Sequence, residues 1–192
     1  MCVATAALAA PPLPSINTNT VFIVTSAPYN AVPDGVTTNT IAIQNAINAA
    51  TAATAGGGGG TVELPGPGTY LCGPLTLKNK VNLQVDAGAT LMMLPMSAWP
   101  SASTPFIYGS GATDVEISGY GTIDGQGAAW WGPPTASSRP NFIQFSGCNR
   151  ILIQNIRLQN PPTFHLMIKN NNANITIRGI DIDTDPTSPN TD

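Results

Sequence analysis

From residue 61 onward, the chain alternates aliphatic and polar residues in short runs, and Gly, Asn, Asp and Pro separate these runs. A period of two places successive side chains on opposite faces of a β-strand, so each run predicts a strand with one buried face. The runs cover residues 62–64, 75–77, 81–85, 90–92, 115–117, 122–124 and 142–145. The pattern therefore predicts a β-rich domain with short strands and many turns.

One run repeats along the chain. Residues 149–158 match residues 173–182 at an offset of 24 positions, and residues 115–119 join the repeat at an offset of 36. The 12 extra positions fit an insertion around residues 130–134. In the 24-residue repeat, Ile151, Ile153, Ile156 and Leu158 fall on Ile175, Ile177, Ile180 and Ile182.

A turn residue occupies one fixed position between the paired aliphatic residues. Gly119, Asn155 and Gly179 share this position. Gly and Asn are the residues that most readily adopt a positive φ. The repeat therefore predicts that a single left-handed residue bends the chain between two strands at the same corner of every coil.

A 24-residue period with several short strands and no helix is typical of a solenoid, and it predicts an all-β, right-handed parallel β-helix. A leucine-rich repeat has a similar period, but it needs a leucine frame and a helical segment in each repeat. The amides of Asn170, Asn171, Asn172 and Asn174 suit turns in which side chains stack in ladders.

The part of the chain before residue 61 predicts one strand and one helix. The strand covers residues 21–24, and Thr38, Asn39 or Thr40 can act as the helix N-cap. An apolar stripe follows at helical spacing, formed by Ile43, Ala46, Ile47 and Ala50. We expect the helix to extend to Ala55 and to cover the open end of the solenoid. The glycines at 56–60 lack the Lys-Ser/Thr of a phosphate-binding loop and indicate a turn.

We divide the chain into residues 1–20, interpreted as a signal-peptide remnant and linker, and residues 21–192, interpreted as the N-terminal part of a single β-helix domain. The first ten residues are small and apolar, as before a secretory cleavage site, but the positively charged start of a signal peptide is missing. They are therefore either the remnant of a signal peptide, which predicts secretion, or an apolar tail. We expect the solenoid to be cut at residue 192.

Cys72 and Cys148 could form a disulfide or remain buried free thiols.

Composition limits the partners. Charged residues make up 9% of the chain and its net charge is -3, so no basic stripe exists to bind nucleic acid. No apolar run is long enough to span a membrane. Arg150, Arg157, Lys169 and Arg178, four of the seven basic residues, lie in the last third of the chain, where they either line a groove or cover solvated strands.

Several motifs carry a resemblance to a known family. They include Gly-Gly-Gly-Thr-Val-Glu-Leu-Pro at 58–65, Gly-Thr-Ile-Asp-Gly-Gln-Gly at 121–127, Arg-Pro at 139–140, Phe-His-Leu at 164–166 and Ser-Pro-Asn-Thr-Asp at 188–192. Together they resemble glycoside hydrolase family 28, the polygalacturonases, over residues 21–192. The last motif is the most specific.

The resemblance implies hydrolysis of α-1,4-linked galacturonan in pectin by water, with inversion and without a metal or organic cofactor. By this resemblance, Asp192 would help to position and deprotonate the attacking water, with Asn190 beside it. Asn190, His165 and Lys169 would bind substrate. The general acid would come from an Asp-Asp pair about one coil later, and no such pair occurs in these 192 residues. We expect the full-length protein to be a monomer.

Two other functions fit a β-helix. One is a non-catalytic carbohydrate-binding or adhesin-like module, and the other is a calcium-dependent pectate lyase. Asp181, Asp183 and Asp185 alternate in the manner of metal ligands, but we expect them on a solvated strand face and predict no metal site. Trp130 and Trp131 form either a sugar-stacking wall or a cover for the coil, and we favour the cover.

Overall fold

A computed structural model describes residues 9–132, 138–186 and 188 of the 192-residue chain. Within these residues, the chain forms one α-helix, α1 (Thr40–Ala52), and sixteen strands. The strands are β1 (Val21–Ile23), β2 (Asp34–Thr38), β3 (Gly60–Leu64), β4 (Gly68–Cys72), β5 (Leu75–Leu77), β6 (Val81–Val85), β7 (Ala89–Met93), β8 (Ile107–Ser110), β9 (Thr113–Ser118), β10 (Thr122–Asp124), β11 (Ile143–Ser146), β12 (Asn149–Gln154), β13 (Arg157–Gln159), β14 (Leu166–Lys169), β15 (Ala173–Arg178) and β16 (Asp181–Asp183). Short 3₁₀ segments cover Ala55–Gly57, Met96–Ala98 and Gly127–Ala129.

The strands form three parallel sheets that run along the stack of coils. Sheet A has the order β1-β3-β6-β9-β12-β15, sheet B the order β16-β13-β10-β7-β4-β2, and sheet C the order β14-β11-β8-β5. Every complete coil therefore contributes one strand to each sheet. This arrangement confirms the predicted right-handed parallel β-helix.

The strand register confirms the predicted repeat. Ile151 pairs with Ile175 in the next coil and with Val115 in the preceding coil, which are the offsets of 24 and 36 positions. Because side chains alternate along a strand, this register stacks the inward-facing residues of successive coils in rows. One such row is formed by Leu83, Ile117 and Ile153, all with no exposed surface.

Aliphatic rows and stacked aromatic rings fill the interior between the sheets. The rings of Phe106 and Phe142 lie 5.8 Å apart with an interplanar angle of 22°, and neither ring is exposed. Complete burial of one such side chain contributes about 1.5–3 kcal/mol. Cys72 and Cys148 also face this interior as free thiols, so the alternative of a disulfide between them is wrong. Burial raises the pKa of Cys72 to about 12.

Helix α1 covers one end of the stack, as predicted. It buries Ile43, Ala46, Ile47 and Ala50. Gln44 also satisfies the free edge of sheet C, because its Oε1 accepts the Thr76 N–H at 2.8 Å and its Nε2 donates to the Thr76 carbonyl at 3.1 Å. The helix ends at Ala52, three residues before the predicted end. In the described part of the chain, no helix has the length and hydrophobicity needed to cross a bilayer.

Of the three N-cap candidates, Asn39 occupies the N-cap position, although its side chain makes no capping hydrogen bond to the helix. The Asn39 Oδ1 accepts the Val32 N–H at 2.6 Å, and its Nδ2 donates to the carbonyls of Val32 and Thr37. The buried Asn39 side chain therefore joins the loop before β2 to the helix start, since these bonds satisfy backbone groups that strand pairing leaves free.

The corner between sheets A and B follows the prediction in two coils and departs from it in one. Asn155 and Gly179 are single left-handed residues with φ of 51° and 59°. The prediction of a single such residue at Gly119 is wrong, because Tyr120 also has a positive φ, of 65°. Before this corner Ile153 pairs with Ile117, 36 positions away, whereas after it Leu158 pairs with Ile123, 35 positions away. The corner of the earlier coil, between β9 and β10, thus has one residue more than the corner between β12 and β13.

An ion pair joins two coils at the opposite end of sheet A. Asp114 and Arg150 both have a left-handed φ, and the Arg150 Nε and Nη2 donate to the two carboxylate oxygens of Asp114 at 2.6 and 2.7 Å. The Ser15 N–H donates to the same carboxylate at 2.8 Å. Asp114 is only 2% exposed, and these hydrogen bonds, those from Arg150 above all, lower the pKa of its carboxyl group. Residues 9–20 therefore contact the stack, while their origin as a signal remnant stays a prediction.

We expect Asp114→Asn to lower the melting temperature at pH 7 by about 4 °C, because it removes charged hydrogen bonds to a buried group. The native pKa lies below the unfolded pKa, so the contribution of the Asp114 carboxylate is complete above the unfolded pKa and is lost as the pH falls through the native pKa. Melting curves from pH 7 to pH 2.5 should therefore show the two proteins converging in acid. A constant difference across this range would contradict the assignment.

The last described coil exposes aliphatic side chains that earlier coils bury. Ile168, Ile177 and Ile182 are 39%, 42% and 53% exposed, although they continue rows whose members Phe145, Ile153 and Leu158 are buried. We expect the 192-residue chain to associate through this face, and Ile177→Arg to reduce the association. Sedimentation velocity at several concentrations measures both, and a monodisperse monomer of the unaltered chain would contradict this prediction.

Candidate functional site

A groove lies on the outer face of sheet C, and its volume is about 410 Å³. We call it the sheet C groove. Its floor comes from Gln144 on β11 and Lys169 at the end of β14, both of which lie at outward positions of their strands. Its walls come from the loops that enter β8, β11 and β14. The lining residues are Ala102, Ser103, Arg139, Asn141, Gln144, Thr163, Phe164 and Lys169.

The sheet C groove carries positive charge. Arg139 and Lys169 line it, and none of its described lining residues is acidic. Arg139 is 8% exposed, and its Nη2 donates to the Trp131 carbonyl at 3.2 Å, which fixes the guanidinium beside the groove. Lys169 is exposed at the strand end. The groove therefore suits an anionic ligand that also accepts and donates hydrogen bonds.

Amide side chains supply the hydrogen-bonding groups of the groove. The Asn141 Nδ2 donates to the Gln144 Oε1 at 2.5 Å, so each amide holds the other in place. Each amide keeps further donor and acceptor capacity beyond this bond. These two residues were not singled out from the sequence, because nothing in the alternation shows that β11 borders an open face.

His165 lies beneath the turn that enters β14 and is only 3% exposed. Its Nε2 is 2.8 Å from the Oγ1 of Thr184, the residue that follows strand β16. The contact joins the turn before β14 to the chain that leads toward residue 192. The structure therefore separates two predicted site residues: Lys169 faces the groove, whereas His165 is buried behind it. Asp192 and Asn190 lie outside the described residues.

A second hollow, of about 430 Å³, lies at the end of sheet B. The Asp124 carboxylate lines it, and accepts the Gln159 Nε2 donor at 2.7 Å and the Gln126 N–H at 2.9 Å. Trp131 lines this hollow and donates from Nε1 to the Pro161 carbonyl at 3.0 Å. Trp130 is 4% exposed within the core, as expected of a residue that covers the coil.

The acidic residues of β16 are exposed and lie beside a cation. Arg157 on the neighbouring strand contacts Asp183, and its Nη1 is 3.7 Å from Asp181 Oδ2. The expectation that Asp181 and Asp183 occupy a solvated strand face is confirmed. The part of the chain that the structure describes holds no group of three or more His, Cys, Asp or Glu side chains placed to bind a metal ion.

Comparison with known proteins identifies relatives of the chain. The family model of glycosyl hydrolases family 28 matches residues 56–192. A probable polygalacturonase of Vitis vinifera is 32% identical over 186 residues, which are 85% of this chain and 37% of that protein. The chain spans about a third of the length of the first curated relatives it matches.

Solved structures show the same fold. The polygalacturonase from Erwinia carotovora ssp. carotovora superposes with a TM-score of 0.70 at 26% identity, covering 98% of this chain and 53% of that one. The hyperthermoactive exopolygalacturonase from Thermotoga maritima superposes with a TM-score of 0.77 at 22% identity, covering 95% and 50% of the two chains.

We expect His165→Ala to loosen the chain after β16, because it removes the contact with Thr184. Hydrogen exchange followed by mass spectrometry should show faster exchange for residues 181–186, with unchanged exchange in β9 and β12. Thr184→Val removes the same hydrogen bond and keeps the side-chain volume, so it should show the same effect. Unchanged exchange in both variants would contradict the anchoring role.

Proposed function

The chain belongs to glycosyl hydrolases family 28, and from this we propose that it forms part of a polygalacturonase-type hydrolase that cleaves α-1,4-galacturonosyl linkages of pectin with inversion. The sheet C groove is the proposed binding site for the polysaccharide. Because the chain matches about a third of its relatives' length, the remaining coils of such an enzyme would complete the catalytic site.

The observation that carries this proposal is the charge of the sheet C groove. Polygalacturonate has one carboxylate on each unesterified sugar, so cations in a groove favour its binding. Among the described lining residues, Lys169 is an exposed cation, Arg139 is a buried guanidinium, and none is acidic. Coulomb attraction in such a cleft also raises the local concentration of an anionic ligand. Asn141 and Gln144 supply groups that bind the sugar hydroxyls.

The catalytic part of the proposal rests on the sequence motif at 188–192. Asp192 would act as a base toward the attacking water, and Asn190 would lie beside it. Inversion needs a second carboxyl function about 6.5–9.5 Å away, so that water fits between them. No adjacent Asp-Asp pair occurs in these 192 residues, so the general acid would lie outside them.

We propose that His165 positions the chain leading to Asp192 and does not bind the sugar itself. Its low exposure and its contact with Thr184 support this role.

The polymeric nature of pectin supports a further proposal, that the protein acts outside the cell as a secreted monomer and takes part in cell wall organization.

We expect the 192-residue chain to bind polygalacturonate without hydrolysing it. Lys169→Gln should weaken the binding about threefold to tenfold, since one exposed cation is lost. Arg178→Gln is the matched control, because Arg178 is exposed on sheet A. Affinity should also fall as NaCl rises, through screening. Affinity electrophoresis measures the binding, and a reducing-sugar assay measures hydrolysis.

Each result separates the proposal from another function. Equal binding by the Lys169 variant and the control would reject the sheet C groove as the binding site. Turnover by the purified chain that Asp192→Asn abolishes would show that the general acid lies within these residues. A calcium-dependent unsaturated product would instead indicate a lyase.

A further inference from the structure

A larger groove, of about 620 Å³, lies on the outer face of sheet A, away from the strands that line the sheet C groove. We call it the sheet A groove. Outward-facing side chains of β6, β9 and β12 form its floor, and Thr18 and the corner around Tyr120 border it. The lining residues are Thr18, Gly66, Asn82, Gln84, Asp86, Ala87, Glu116, Ser118, Gly119, Tyr120, Gln154 and Asn155.

Hydrogen bonds within and between coils fix the floor of the sheet A groove. The Ser118 Oγ donates to the Asn82 Oδ1 at 2.9 Å, and the Gln84 Nε2 donates to the Asp86 Oδ1 at 2.8 Å. Each amide has more donor and acceptor sites than these bonds use. The floor is therefore a rigid array of amide, hydroxyl and carboxyl groups whose side-chain entropy is already lost before a ligand binds.

A three-residue chain of hydrogen bonds extends this array across the next two coils. The Arg178 Nε and Nη2 donate to the Gln154 Oε1 at 2.9 and 2.8 Å, and the Gln154 Nε2 donates to the Glu116 Oε1 at 2.7 Å. Arg178 itself does not line the groove. Its guanidinium instead holds the Gln154 amide in one orientation, and Gln154 in turn holds the Glu116 carboxyl group. Both of these groups line the groove.

The charge of the sheet A groove is opposite to that of the sheet C groove. Asp86 and Glu116 line it, and no Lys or Arg is among its described lining residues. Burial raises the pKa of Glu116. A polyuronate would be repelled here, whereas a neutral ligand rich in hydroxyl groups matches the amides and carboxyl groups.

Tyr120 gives the sheet A groove an aromatic edge. The residue is 73% exposed, and its φ of 65° lies in a region that bulky residues rarely adopt. Asn155 occupies the same corner one coil later with the φ that Asn tolerates well. Tyr120 also lines a neighbouring hollow of about 360 Å³ with Arg157 and Asp181. The ring thus stands exposed between two hollows, where one of its faces can stack on a sugar ring.

We propose that the sheet A groove is a second, non-catalytic carbohydrate site that binds a neutral oligosaccharide, with Tyr120 as the stacking platform. Gln84, Glu116 and Gln154 bind the sugar hydroxyls. The site depends neither on hydrolysis nor on polygalacturonate binding in the sheet C groove, so the two proposals fail or stand separately.

The test measures binding of the 192-residue chain to soluble neutral polysaccharides, namely galactan, arabinan and xyloglucan, by affinity electrophoresis and calorimetry. We expect at least one to bind, Tyr120→Ala to weaken that binding at least tenfold, and Tyr120→Phe to retain it within about threefold. Tyr108→Ala is the matched control, because Tyr108 lies on sheet C, and it should bind as the unaltered chain does. Absence of binding to all three polysaccharides, or unchanged binding by Tyr120→Ala, would overturn the proposal.

A second variant separates a binding role from a structural one. Tyr120→Asn should raise the melting temperature by about 2 °C, because Asn adopts the left-handed conformation at lower cost, and should still lose the neutral ligand. Lys169→Gln should leave neutral binding unchanged. Competition of polygalacturonate with the neutral ligand, or a Tyr120→Asn variant that binds normally, would overturn the proposal.

Discussion

Hydrogen bonding between successive coils is the constraint on which the other features of the structure depend. Within a parallel stack, the backbone N–H and C=O groups of a strand find partners only in the coils on either side. Rows of buried aliphatic residues such as Leu83, Ile117 and Ile153 fix the register, since a slip by one residue would turn each of them to solvent. The same register fixes the outward-facing rows, and these rows build both grooves.

The coils differ in length, and the loops absorb the difference. Paired residues of sheet A are separated by 21 positions between β3 and β6, by 34 and 36 between the next strands, and by 24 between β12 and β15. The extra residues leave the sheets intact and lengthen the loops that enter β8 and β11. Ser103 and Arg139 belong to these loops and form walls of the sheet C groove. Insertions in this solenoid thus shape the site without disturbing the core.

Periodic features of the chain could be predicted from the sequence, because each coil repeats the same physical requirements. Ile151 and Ile175 revealed the offset, and the stripe that begins at Ile43 revealed the capping helix. The extra residue at Tyr120 could not be predicted. The repeat was recognised from residues 115–119, which lie before Tyr120, and these residues do not show that the offset falls from 36 to 35 after the corner. Lys169 could be expected in a groove, but the other groove residues could not, since Gln144 and Gln154 are ordinary outward positions until the sheets are placed in space.

The three-sheet cross-section explains how one short chain carries grooves of opposite charge. Lys169 ends a strand of sheet C, whereas Glu116 faces outward from sheet A, and the buried rows lie between the sheets. Salt screens exposed charges separated by more than about 10 Å, so each face sets its own local potential. A change of charge on one sheet therefore alters the ligand preference of that face and leaves the other unchanged. Each coil adds one residue to every outward-facing row, so the outward-facing residues determine the charge of a groove. The inward-facing residues form the core, and packing alone constrains them.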